Sequence, residues 1–170
     1  MSNVSKIRVA NAGILLAIFL AALTTGGAVA AEGNTTRSMC HNSGAHPVEP
    51  FGDYPEHSLQ VIDSSCTMEG GPLGGTVLTQ QVIWEYGKNA ITQLSGQGVY
   101  RKPGAIAAYV NSAGTLSLQY TDGRFTGWTA LGKGRIAAAA GGAASLNGKT
   151  YSWTARPIGN RNYVIETTFD

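Results

Sequence analysis

From Ser58 onward, apolar and polar positions alternate with a period of two, and turn residues break the pattern at short intervals. Thr76 to Tyr86 carries the strongest signal. Thr76, Val77, Val82, Ile83, Trp84 and Tyr86 supply the β-branched and aromatic side chains that suit a pleated strand. Before it, Ser58 to Glu69 sets Leu59, Val61 and Asp63 against Gln60, Ile62 and Ser64, and ends at Gly70-Gly71-Pro72. After it, Gly87-Lys88-Asn89 turns the chain into Ala90 to Arg101. Gly96 and Gly98 share one face there, as in strands that bulge or coil so a sheet can curl.

Lys102-Pro103-Gly104 predicts a turn, because proline pre-sets φ. Strands are expected at Ala105–Asn111 and at Thr115–Tyr120, where alternation is strict, separated by a turn at Ser112-Ala113-Gly114. Asp122-Gly123 is the best hairpin signal in the chain. Phe125–Leu131 and Arg135–Ala140 follow, split by Gly132-Lys133-Gly134 read as another turn. The alanine run 137–144 would suit a helix, but Gly141-Gly142 argues for a strand entering a glycine-rich corner. Asn147-Gly148 turns into Lys149–Ala155, and Tyr163–Phe169 closes the chain. This pattern predicts an all-β domain over residues 58–170, an antiparallel up-and-down barrel of about eight strands. Closure would remove exposed sheet edges.

The first 57 residues read differently. Lys6 and Arg8 precede an apolar run from Ala10 to Leu23, and Ala28-Val29-Ala30 supplies an A-x-A cleavage site. The run is short of the ~20 residues of a spanning helix. Residues 1–31 are therefore expected to be a cleaved signal peptide, with the protein exported to a periplasmic or secreted location. Residues 32–57 are expected to be a polar, flexible lead-in (Glu32–Met39) followed by a loop rich in Cys, His and Pro, in which Pro47 and Pro50 exclude a helix.

Charge and cysteine content narrow the function. The formal +2 comes entirely from Lys6 and Arg8, so the remainder balances ten basic against ten acidic residues. No cationic footprint remains for nucleic acid or for a membrane surface after cleavage. In an oxidising compartment, Cys40 and Cys66 are expected to form one disulfide, pinning the loop to the first strand.

Two features carry a resemblance. Asp53-Tyr54-Pro55-Glu56-His57-Ser58-Leu59, followed by Cys66, resembles the opening region of small exported bacterial proteins of uncharacterised role. Gly123-Arg124-Phe125-Thr126-Gly127-Trp128, then Gly132-Lys133-Gly134 and Ala140-Gly141-Gly142-Ala143, is similar to the glycine-punctuated hairpin of allene oxide cyclase-like and dirigent-like barrels. That resemblance implies an eight-stranded barrel with an apolar cavity. It also implies cofactor-free lyase, isomerase or cyclase chemistry on a reactive hydrophobic substrate. It assigns no catalytic residue to any position here.

Candidate chemistry follows from residue type. Trp84, Tyr86, Tyr109, Tyr120, Trp128 and Trp153 recur about once per strand and are the candidates for lining a ligand cavity, with barrel core as their alternative role. His57, Glu85, Tyr100 and Arg101 are the catalytic candidates. Alternation puts Glu85 on the face opposite Trp84 and Tyr86, so an inward Glu85 or Arg101 would be a buried charge in need of a partner. His41, His46 and His57 fall in the proline-rich loop at a spacing that matches no known ligand pattern, so no metal is expected, and no other cofactor. A triad of Ser58, His57 and Asp53 is rejected, since neighbours on an extended chain point apart. The expected partner is a small hydrophobic or aromatic molecule. A lipocalin- or avidin-like carrier and a filled structural barrel are the alternatives, and self-association into a homo-oligomer is left open.

Overall fold

The computed structural model describes residues 33–170; the expected signal segment lies outside them. The strands are β1 (Thr35–Ala45), β2 (Glu49–Pro50), β3 (Ser58–Glu69), β4 (Val77–Tyr86) and β5 (Ile91–Lys102). They continue as β6 (Ala105–Thr121), β7 (Arg124–Gly141), β8 (Thr150–Gly159) and β9 (Asn162–Phe169). Each long strand pairs antiparallel with its neighbours in sequence, apart from the two-residue β2, which pairs only with β3. β1 pairs with β3 on one side and β9 on the other, closing an eight-stranded up-and-down barrel. The predicted all-β barrel is the observed fold.

β1 was not legible. The polar terminus and the first part of the expected loop are one eleven-residue strand. Its inward side chains are Thr36, Ser38, Cys40 and Asn42, small and mostly polar, so no apolar alternation marks it. The disulfide forms as expected between Cys40 and Cys66, but it links two strands in direct register inside the barrel wall rather than stapling a loop.

Two expected turns are also strand. β6 runs straight through Ser112-Ala113-Gly114, where a bulge between Asn111 and Ala113 adds one residue. An extra residue reverses side-chain parity. Ala105, Ala107, Tyr109 and Asn111 therefore face inward before the bulge, and Gly114 and Leu116 after it. β7 runs through Gly132-Lys133-Gly134 because both glycines point inward beneath large rings of β8, in register with Trp153 and Tyr151. By contrast, Asp122-Gly123 makes the expected tight hairpin, with φ of 50° and 73°.

The two ends of the barrel differ. At one end, the Gly70–Gly75 turn folds Leu73 inward, where Thr76 Oγ1 donates to its carbonyl at 2.7 Å. The short 3-10 turn Ala144–Leu146 adds Leu146, and Met68, Ile136 and Phe169 complete a packed floor. The opposite end carries the Gly87–Ala90, Asp122–Gly123 and Asn160–Arg161 connections and the 46–57 loop. It stays open, since the cavity-lining Leu118 and Phe125 are exposed there.

Candidate functional site: an uncharged cavity in the barrel

Above the packed floor lies a cavity of about 340 Å³. Every long strand contributes to its wall, as alternation in a small barrel requires. Among the described residues, none of the lining side chains is Asp, Glu, Lys, Arg or His. The polar groups present are amides, hydroxyls and phenols.

Those polar groups pair with one another. The Tyr109 hydroxyl donates to Gln80 Oε1, and Gln80 Nε2 donates to the Tyr163 hydroxyl at 2.8 Å. Tyr86 donates to Gln60 Oε1 at 2.9 Å, Tyr151 to Asn111 Oδ1 at 2.9 Å, and Ser64 to Asn42 Oδ1 at 3.1 Å. Burial pushes the phenols of Tyr86, Tyr100, Tyr109, Tyr151 and Tyr163 up from the ordinary value near 10, so all stay protonated at neutral pH. Trp153 Nε1 and Gln93 Oε1 are sealed from solvent without a hydrogen-bond partner.

Missing side chains make the room. A Cβ on Gly98 would stand 2.7 Å from the Tyr109 ring, and one on Gly132 would stand 2.5 Å from Trp153 Cζ2. A Cβ on Gly114 would meet Gln93 at 2.9 Å and Trp153 at 3.1 Å. Glycines on β5, β6 and β7 thus receive the rings of Tyr109 and Trp153, so the cavity is not filled by its own aromatics.

Five of the six proposed ligand-contacting residues line the cavity: Trp84, Tyr86, Tyr109, Trp128 and Trp153. Tyr120 does not; it is 60% exposed on the projecting β6–β7 hairpin, edge-on to Phe125. Of the catalytic candidates only Tyr100 reaches the cavity. Arg101 is exposed on the outer wall, where it donates to Thr79 Oγ1 at 2.9 Å. Gln60, Gln80, Asn111 and Tyr151 were missed. Their signal was a polar or aromatic residue at the inward position of a strand, visible only once the register is known.

His57 and Glu85 do meet, outside the barrel at its open end. His57 Nδ1 lies 2.6 Å from Asp53 Oδ1 and Nε2 lies 2.9 Å from Glu85 Oε1, while Thr92 Oγ1 donates to Glu85 Oε2 at 3.2 Å. Phe51 and Tyr54 stack on the two faces of the imidazole, with centroids 4.2 and 4.4 Å away. A carboxylate on each ring nitrogen calls for the doubly protonated ring. Glu85 first and Asp53 second raise the His57 pKa, and the bond from His57 lowers that of Asp53. This arrangement clasps the 46–57 loop to β4; it presents no free base to the cavity. His41 instead bonds Asn162 at 2.9 Å, and His46 faces Asp63 at 3.4 Å. The three histidines do not converge, and among the described residues no group of three or more ligand-type side chains is placed to hold an ion.

Compared with family models, curated proteins and solved structures, the chain matches none.

Proposed function

We propose that this protein is an exported carrier that holds one small, uncharged, largely apolar or aromatic molecule inside its barrel. The observation that carries this reading is the cavity of about 340 Å³ whose wall contains aromatic rings and neutral polar groups and no ionic side chain. That volume is at the lower end of small-molecule sites. A charged ligand would lose its hydration there and gain no counter-ion. Acid–base catalysis at neutral pH is disfavoured by the same wall, because its only titratable groups are phenols held in their protonated form. The disulfide supports an oxidising compartment and hence export, in keeping with the basic and apolar N-terminal segment. Kinship with allene oxide cyclase-like or dirigent-like barrels is likewise a proposal, supported by the strand count and the aromatic cavity.

Titration with the neutral, environment-sensitive dye N-phenyl-1-naphthylamine tests the reading. Saturable fluorescence enhancement is expected, together with quenching of Trp84, Trp128 and Trp153. Ala155→Phe, which places a ring in the cavity, is expected to weaken binding at least tenfold. No binding to the native protein, or binding untouched by Ala155→Phe in a folded variant, would overturn it.

A further inference from the structure

We infer that the ligand presents carbonyl-type acceptor oxygens, two or more on an apolar frame, rather than hydroxyl or amine donors. This rests on the carrier reading above and narrows it to a chemical class, that of ketones, quinones and lactones.

The inference comes from which half of each amide is already used. Asn42, Gln60, Gln80 and Asn111 all line the cavity. In each the carbonyl oxygen accepts a hydroxyl from the protein: Ser64 on Asn42, Tyr86 on Gln60, Tyr109 on Gln80, and Tyr151 on Asn111. Phenols donate better than they accept, because the ring withdraws the oxygen lone pair. Three of the amide oxygens therefore turn toward phenols and the fourth toward the Ser64 hydroxyl, and the NH₂ groups are left over. Among the described residues, only Gln80 of these four has an N–H with a protein acceptor, the Tyr163 hydroxyl, and that uses one of its two hydrogens.

The wall thus holds spare N–H donors on β1, β3, β4 and β6 and few spare strong acceptors. A fifth lining amide, Gln93, has an unpartnered Oε1, but it is sealed from solvent, as is the unpartnered indole nitrogen of Trp153. A ligand hydroxyl would have to share each amide oxygen with a protein hydroxyl already bonded to it, whereas a ligand carbonyl meets unshared N–H donors on several strands. No cation stands among them, so the acceptor they suit is a neutral oxygen rather than a carboxylate.

Three molecules of one shape test this: tetralin, 1-tetralol and 1-tetralone, titrated into the native protein by calorimetry and tryptophan quenching. The expected order is tetralone tightest and tetralin weakest, with at least a tenfold gap between those two. Gln60→Met, which keeps the length and removes the donor, is expected to shrink that gap several-fold. Equal affinities, tetralol binding most tightly, or a gap untouched by Gln60→Met combined with Asn111→Leu would each overturn the acceptor assignment and leave the carrier standing. Failure of all three to bind would overturn the carrier reading itself.

Discussion

Trp153 of β8 lies over Gly132 of β7, so close that a Cβ on the glycine would stand 2.5 Å from indole Cζ2. The ring occupies space that any other residue at 132 would claim. Gly132→Ala must displace the indole or the strand. Overpacking of this kind costs about 1–3 kcal/mol. A lowered denaturation midpoint is expected together with a shifted emission maximum from Trp153. A variant with native stability and spectrum would show that the wall is looser than this contact requires.

The Gln80 side chain joins two buried phenols that start on strands far apart in sequence. Gln80→Leu keeps the apolar bulk but leaves the hydroxyls of Tyr109 and Tyr163 without their partner. Orphaning buried polar groups costs about 1–3 kcal/mol each. Chemical denaturation is expected to show a loss of about 2–4 kcal/mol, larger than that of Gln60→Leu near the open end. A neutral effect would mean that water enters to satisfy both phenols.

Cys40 and Cys66 are 26 residues apart and join paired strands. In the chain-entropy treatment, closing a loop of that size stabilises the fold by about 3–4 kcal/mol. The double change of Cys40 and Cys66 to serine should lower the free energy of unfolding by a comparable amount, and a reductant should do the same to the native protein. Because β1 seals the barrel against β3, amide exchange in Thr35–Ala45 should accelerate most. Unchanged protection there would remove the closing role given to this bridge.

The clasp around His57 titrates. Its folded pKa is raised above the ordinary value near 6.5, so its stabilisation is complete below that pH and is lost as pH rises through the folded value. Asp53 is lowered from 3.8, so its share is present above that pH and is lost as pH falls through its own folded value. The 46–57 loop should be held best between about 4 and 6.5. Melting temperature should fall from pH 6 to pH 8.5, and His57→Gln should flatten that slope. Equal slopes in the two proteins would count against the clasp.

Much of this fold was legible without a structure. Strands β3 to β5, β8 and β9 follow from alternation and turn chemistry, because one face of each is buried and a two-residue period records it. The Asp122-Gly123 hairpin follows from the positive φ that Gly readily adopts and Asp tolerates. Most of the aromatic candidates line the cavity for the same reason. What residue types alone could not convey is register and space. Gly132-Lys133-Gly134 has the composition of a turn and becomes strand only because Trp153 and Tyr151 arrive opposite it. β1 carries small polar side chains inward, and its role depends on the two strand edges it meets. The parity change at Ser112 sends Tyr109 and Leu116 to the same interior. His57 and Glu85 are 28 positions apart and come together outside the barrel, while Gln80 gathers two tyrosines within it. Local periodicity is written in neighbouring residues; the cavity, its neutrality and its partners are made by residues that only closure of the barrel brings face to face.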